Sequence, residues 1–156
     1  MVLREALPAD APAITRLYQL LVPGDGHVGV TPGRIGAIAA DPHNFLFVVE
    51  AAGRVWATGF LTVCLDPMYG DRPFGVVENL VVDPARRRQG CGRFLLQAIE
   101  DVCWRHGCTK IMLLSSVFRA EAHRFFSARG FAGDKKRAFV KYRRETYDAS
   151  RRPDPP

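Results

Sequence analysis

A chain of 156 residues, 47% hydrophobic and 24% charged, has the size and composition of one globular domain, which excludes wholesale disorder and leaves little room for a second domain. Lysine and arginine number 22 against 16 acids, a formal charge of +6, which admits nucleic acid, a membrane surface or a phosphorylated small molecule as partner. The apolar runs at 45–49 and 111–114 fall far short of the roughly 18 residues that cross a bilayer, and the opening Met1-Val2-Leu3-Arg4-Glu5 has no apolar core followed by a cleavage site, so neither a membrane span nor a secretory signal is expected.

Residues 1–6 predict a short strand. Over 9–22, Ile14, Leu17, Tyr18 and Leu21 recur at helical spacing, with Asp10 placed to cap, Pro12 tolerable in the first turn, and the Pro23-Gly24-Asp25-Gly26 turn as the stop. Thr31-Pro32 pairs an N-cap with a proline at the first helical position and predicts a second helix over 31–40. The β-rich runs 45–51 and 55–65, joined by Ala52-Gly53-Arg54, predict an antiparallel hairpin, and 74–82 adds a third strand after a polar connection. Beyond Pro84 the period changes. Phe94, Leu95, Ala98, Ile99, Val102, Cys103 and His106 recur at three and four, the strongest helix of the chain, with Gly107 ending it. Residues 110–114 read as a strand buried on both faces and parallel to its neighbour. A helix follows over 119–129, with Ala122, Phe125 and Phe126 on one side and Gly130 as its end, and a last strand is expected at 139–142. No repeat or linker divides the order β-α-α-β-β-β-α-β-α-β, so a mixed sheet flanked by helices in one domain over 1–147 is expected, with 148–156 as a frayed tail.

Cys64, Cys91, Cys103 and Cys108 fall at irregular spacings with no C-x-x-C pair, so neither a zinc knuckle nor a redox motif is spelled out. Thiols in such apolar or glycine-rich stretches serve as small hydrophobes, and a reduced, cytoplasmic protein is expected. Arg86, Arg87, Arg88 and Arg93 crowd a single turn, whereas Lys135, Lys136, Arg137, Lys141, Arg143, Arg144, Arg151 and Arg152 load the C-terminal end, where a solvated face is the plainer explanation.

The stretch with chemical content runs from the strand Val77-Glu78-Asn79-Leu80-Val81-Val82 through Asp83-Pro84-Ala85 and Arg87-Arg88-Gln89-Gly90-Cys91-Gly92 into the long helix. A glycine turn feeding a helix N-terminus exposes free N–H groups at the positive end of the helix dipole, and glycine lets a phosphate come close. Neighbouring arginines add charge-assisted bonds. This is an anion cradle. It is not a P-loop, which needs Gly-Lys-Ser/Thr, and a Rossmann fingerprint would want a glycine where Leu95 stands.

The turn resembles the Q/R-x-x-G-x-G/A signature of the GNAT superfamily of acetyl-CoA-dependent N-acetyltransferases, with Arg87, Gly90 and Gly92 at its fixed positions. The likeness continues in Cys108-Thr109-Lys110-Ile111-Met112-Leu113-Leu114, similar to the family's fifth strand, and in Ala122, Phe125, Phe126, Gly130 and Phe131, which fit its A-x-x-F-Y-x-x-x-G-F helix. It covers the chain to about residue 143 in element order. The resemblance implies a mixed α/β (α+β) sheet, mostly antiparallel with a parallel pair of fourth and fifth strands, and helices on both faces. It also implies acetyl-CoA as co-substrate, with no metal.

Position by position, the resemblance implies that the N–H groups of Arg88, Gln89, Gly90, Cys91, Gly92 and Arg93 hold the pyrophosphate, with side-chain help from Arg87 or Arg88. Leu80, Val81 and Val82 would pair with the pantetheine arm like an added strand, and a bulge in that strand would aim an N–H at the thioester oxygen, where electrostatic help is worth most. An amine acceptor is mostly protonated near neutral pH and needs a base, and Glu78 matches the place of the family's glutamate. The tyrosine that commonly protonates the departing thiolate falls at Phe126, which has no proton to give, and the usual asparagine is Arg119. Water is one proton source, and Ser115, Ser116 and Tyr142 are candidate substitutes, of which Ser115 is preferred and Ser116 also suits helix capping. His123 either faces the cofactor or sits half-exposed.

The expected reaction is direct transfer of an acetyl group to a primary amine of a small molecule, with a homodimer compatible. The alternatives are a non-catalytic acetyl-CoA sensor and an acetyltransferase acting on a protein amine. Nucleic-acid binding is disfavoured because only charge suggests it. The loops 24–27 and 66–72, which mix acids with His27 and Arg72, are expected to flank the acceptor; they admit an aminoglycoside, an amino sugar phosphate, an aminoalkylphosphonate, a polyamine or a protein N-terminus.

Overall fold

In the computed structural model, which describes residues 1–142, five strands form one sheet in the order β1-β2-β3-β4-β5: Val2–Glu5, Asn44–Ala51, Arg54–Cys64, Phe74–Val82 and Ile111–Leu113. The first four pair antiparallel and β4 pairs β5 in parallel, as expected. Four helices accompany them: α1 (Ala11–Leu21), α2 (Pro32–Ala39), α3 (Cys91–Arg105) and α4 (Ala120–Ser127). The chain divides into two compact units, 1–113 and 114–156, so the single domain expected over 1–147 and the tail at 148–156 extend beyond what is described.

Alternation along β2 and β3 sorts the first unit into two cores. Phe47, Val49, Ala57, Leu61, Val63 and Val77 meet Leu95, Ile99, Val102 and Cys103 of α3 on one face. Leu46, Val48, Val55 and Val81 meet Ile14 and Leu17 of α1 and Ile35 of α2 on the other. The sheet is therefore covered on both sides. Each such fully buried aliphatic side chain is worth about 1.5–3 kcal/mol.

Turn chemistry fixes the connections. Ala52 and Gly53 both have positive φ, 51° and 70°, which gives the β2–β3 hairpin a two-residue turn whose twist suits the strands; Arg54, expected in the turn, pairs with Ala51. Thr31 caps α2 by accepting from the Arg34 N–H at 3.1 Å. Asp10 does not cap α1 with its side chain. Its carboxylate accepts instead from Arg4 (2.7 and 2.9 Å) and from the Leu7 N–H (2.7 Å), and the Arg4 contact, against the opposing cost of burial, holds it below the usual carboxylate range. At the end of α3, Gly107 N–H bonds Trp104 O and Cys108 N–H bonds Cys103 O (both 3.0 Å) with Gly107 left-handed, a Schellman closure.

Two expectations fail. β5 is half-buried along its length rather than sealed on both faces, because it has only three residues and lies at the end of the strand order. No strand forms at 139–142 among the described residues, where Phe139 is 89% exposed; β propensity without a partner edge does not make a strand.

Candidate active site

In β4 the ladder with β3 slips. Thr58 faces Val81 and Phe60 faces Glu78, so Asn79 and Leu80 together oppose Gly59. Asn79 takes a left-handed φ of 55°, a strain that a short polar side chain tolerates. The extra residue shifts the alternation: Val77 packs on the α3 side, Leu80 packs there too, and Val81 goes to the α1–α2 side. Gly59 permits this crowding, since a Cβ there would lie 3.2 Å from Ile99 Cδ1 and 3.4 Å from Leu95 Cδ2.

Pairing with β5 stops at Val77–Leu113. From Glu78 to Val82, β4 thus has an edge that no strand of the described residues covers. Glu78 shares a face with its neighbour Phe60, which packs on the α1–α2 core. Its carboxyl is half-buried, has no hydrogen-bond or salt-bridge partner among the described residues, and is pushed above the ordinary glutamate range by burial. Such a group is a better proton acceptor than a solvated one.

Beyond Val82, Asp83 anchors the turn. Its Oδ1 accepts from the Ala85 N–H (2.9 Å), and Oδ2 meets Arg16 at 2.5 Å and Arg54 at 3.6 Å. Burial opposes its charge, yet the Ala85 N–H and the two arginines prevail and lower its pKa. Arg88 and Gly90 then adopt left-handed φ values of 60° and 86°, and α3 starts at Cys91 with no side-chain cap. The N–H groups of Gln89, Gly90, Cys91, Gly92 and Arg93 find no acceptor among the described residues; the first helical closure is Phe94 N–H to Gly90 O at 2.9 Å. A Cβ at Gly90 would meet nothing within 4 Å, so the space beside these donors is open. That fits a bound phosphate.

The cradle residues are therefore brought together, with two refinements. The Arg87 Nε lies 3.4 Å from Val82 O, so its side chain reaches back along the strand. The Cys91 side chain is buried, with Sγ 3.2 Å from Met1 Sδ, which leaves its backbone alone to serve a ligand. Reasoning on the sequence missed Trp56, over whose ring lie the guanidinium carbons of Arg54 (4.3 Å) and Arg86 (4.8 Å). Only the pairing of Asp83 N–H with Trp56 O (2.8 Å) brings those three together, and nothing local in the sequence announces it.

Ser115, His123 and Phe126 belong to the second unit. Ser115 Oγ is shut off from solvent and has no partner among the described residues. Ser116 does not cap α4; its carbonyl accepts from Arg119 N–H (3.0 Å) and from His123 Nε2 (3.0 Å), which ties the His123 ring to the loop before the helix. Gly130, at φ 86°, closes α4 with Gly130 N–H to Ser127 O and Phe131 N–H to Phe126 O (3.0 and 3.1 Å), and the Phe126 and Phe131 rings meet edge-on at 5.9 Å. The F-x-x-x-G-F spacing is thus a Schellman end with its hydrophobic staple.

The 66–72 connection carries a hollow of about 430 Å³ lined by Leu65, Asp66, Pro67, Gly70 and Asp71. Neither Glu78 nor any cradle residue borders it. Among the described residues no cluster of three or more His, Cys, Asp or Glu side chains is placed to hold a metal, and no helix is long and apolar enough to cross a membrane.

A Trypanosoma brucei brucei glucosamine 6-phosphate N-acetyltransferase is 32% identical over 73 residues, 46% of this chain and 48% of that protein, so the match spans about half of the relative's length. An Agrobacterium tumefaciens protein described as an acetyltransferase superposes with a TM-score of 0.82 at 29% identity, covering 91% of this chain and 100% of the other. The Arabidopsis thaliana glucosamine-6-phosphate N-acetyltransferase superposes at 0.76 with 26% identity, covering 90% and 97%. The model of the Acetyltransferase (GNAT) family matches residues 14–131, which takes in α1, the bulged strand, the cradle and α4, and the chain belongs to that family.

Proposed function

We propose that the chain is an N-acetyltransferase that moves an acetyl group from acetyl-CoA to a primary amine of a small molecule by direct attack in a ternary complex. One observation carries this reading. The continuous segment from Glu78 to Arg93 presents, in order, an unpartnered half-buried carboxyl, an uncovered strand edge with a bulge, and an uncapped helix N-terminus with open space beside it. Acetyl-CoA, when bound, supplies an acetyl group activated as a thioester. The chain's own residues would do the rest. The N–H groups of Gln89 to Arg93 and the neighbouring arginines bind phosphate oxygens, and the backbone of Leu80, Val81 and Val82 offers main-chain hydrogen bonds to the pantetheine amides, as an edge strand does to an added strand. Glu78 takes a proton from the acceptor ammonium, directly or through water, and the free amine then attacks the thioester carbonyl.

On the leaving-group side, Ser115 is the donor we assign, with its proton replaced from water, and His123 and Phe126 are the further cofactor contacts; all three assignments rest on the family resemblance. The four free cysteines suit a reducing, cytoplasmic setting. Two relatives act on glucosamine 6-phosphate by name, which makes an amino sugar phosphate the first acceptor to try. The test is thiol release from acetyl-CoA across amino sugar phosphates, aminoglycosides, polyamines and peptides. Release with a small amine is the expected outcome. Tight binding of acetyl-CoA without release on any amine would favour the sensor reading, and release on peptides alone would move the acceptor to a protein amine.

A further inference from the structure

Between Pro84 and Cys91 the chain holds two left-handed residues, Arg88 and Gly90, in a turn whose N–H groups must converge on one anion. At Arg88, which carries a Cβ, such backbone is strained and persists only where its surroundings hold it. Part of what holds it is visible. Arg86 donates to Gln89 Oε1 at 3.0 Å, and Gln89 Nε2 donates to Ala85 O at 3.0 Å, so the Arg86 head group links the start of the turn to the residue before Gly90. That head group rests over the Trp56 indole, at 4.8 Å from its centroid.

Trp56 is itself fixed. Its Nε1 donates to Ala51 O (3.1 Å), its carbonyl accepts from Asp83 N–H (2.8 Å), and Arg54 covers the ring at 4.3 Å while facing Asp83 Oδ2 at 3.6 Å. The indole thus stands on the β2–β3 hairpin, a rigid element, and reaches the turn through Arg86. An indole face attracts a guanidinium by its quadrupole, and an arginine so held keeps both its hydrogen bond to Gln89 and its charge beside the cradle.

We infer that Trp56 is a positioning residue for the acetyl-CoA cradle: through Arg86 and Gln89 it holds the 86–90 turn in the conformation that receives the cofactor's phosphates. The inference rests on the acetyl-CoA reading above. Trp56 acts on affinity and takes no part in the chemistry.

Calorimetric titration of the full chain with acetyl-CoA tests it. Trp56→Leu, which keeps an apolar side chain and removes the ring face, raises Kd roughly three- to tenfold, the range that a cation–π contact commands. Trp56→Phe, which keeps a ring, stays within about twofold of wild type. A folded Trp56→Leu chain with wild-type affinity overturns the inference, and so does an equal loss in Leu and Phe variants, which would assign the effect to packing. Failure of the wild-type chain to bind acetyl-CoA would instead remove the reading on which the inference rests. If Trp56→Leu does not fold, a Trp104→Phe chain retains Trp56 as its single tryptophan. Its emission should then change with acetyl-CoA at the calorimetric midpoint, and a flat emission would overturn the inference.

Discussion

The two halves of β4 belong to one strand and are opposite in use. Phe74 to Val77 pairs with β3, and Gly75 to Val77 pairs with β5 as well; Gly75 lies against the end of α3 so closely that a Cβ would come within 2.6 Å of Cys103 Sγ and 3.3 Å of Leu61 Cδ1. Glu78 to Val82 is paired on one side only, carries the bulge, and holds an unpartnered acid. The first half has spent its hydrogen bonds and its space on the fold. The second keeps both open, and only that half has anything to offer a ligand. Substitutions in the first half should therefore move stability and leave chemistry alone, and those in the second should do the reverse.

The largest expected effect is at Glu78. Glu78→Gln should lower kcat/KM by about 10² to 10⁴ near neutral pH without changing acetyl-CoA affinity, and the residual rate should climb at high pH as free amine accumulates. In the wild type, kcat/KM should rise through a pKa above that of an ordinary glutamate, because burial raises it. The stability linkage has the opposite sign. A carboxyl with a raised folded-state pKa contributes stability below the unfolded value and loses it as pH rises through the folded one, so Glu78→Gln should gain melting temperature relative to wild type as pH rises above the ordinary glutamate range. A variant that is as active as wild type across pH would remove the base from the mechanism and dissolve the contrast between the halves.

Gly75 tests the other half. Gly75→Ala should cost about 1–3 kcal/mol in denaturant unfolding, since the methyl group must displace Cys103 or Leu61 in a closed core, while kcat per folded molecule stays unchanged. Adding Cys103→Ala removes the nearest clash and should recover most of the loss. If Gly75→Ala lowered kcat as much as it lowered stability, the two halves would not be separable.

Gly90 sharpens the comparison from the end of the segment. Gly90→Val places a branched side chain in space that is open toward a ligand and at a φ of 86° that suits glycine. Acetyl-CoA affinity should fall at least tenfold, about 1.4 kcal/mol. Calorimetry on the folded variant decides it, and unchanged affinity would detach the turn from the cofactor.

The sequence exposed these elements unequally. The β-rich runs 45–51 and 55–65 marked the hairpin and the three-and-four spacing marked α3, because Leu95, Ile99 and Val102 recur where burial needs them. The open turn at the start of α3 was legible from Gly90 and its arginines because such a turn leaves a local mark: glycine, charge and a helix start in one run. The bulge was not. Asn79 looks like any polar strand residue, and its left-handed φ follows from register with β3 across Gly59. For the same reason Asp10 looked like a cap until Arg4 was placed beside it, and Trp56 went unnoticed until the hairpin met the turn. At Phe126 the spacing to Gly130 and Phe131 had a local cause, a helix end, that pattern matching alone could not separate from a cofactor contact.

Phe126 also carries the smallest expected effect. Its ring staples the end of α4 against Phe131, a contact that a tyrosine ring keeps, so Phe126→Tyr should change stability by less than about 0.5 kcal/mol. The family's common tyrosine would then be restored together with its hydroxyl. A thiol leaving group with a pKa of roughly 8.5 departs tolerably without an acid, so the gain should be modest, a rise in kcat of about two- to threefold, with acetyl-CoA affinity unchanged. Ser115→Ala separates the donors: it should lower kcat in the wild-type background and do so less in the Phe126→Tyr background, since one hydroxyl can stand in for the other. Additive losses would mean that the two side chains do not share a proton. A tenfold fall in kcat for Phe126→Tyr alone, about 1.4 kcal/mol in barrier height, would assign the phenyl ring to an apolar acceptor pocket, and the leaving-group role would then rest with water.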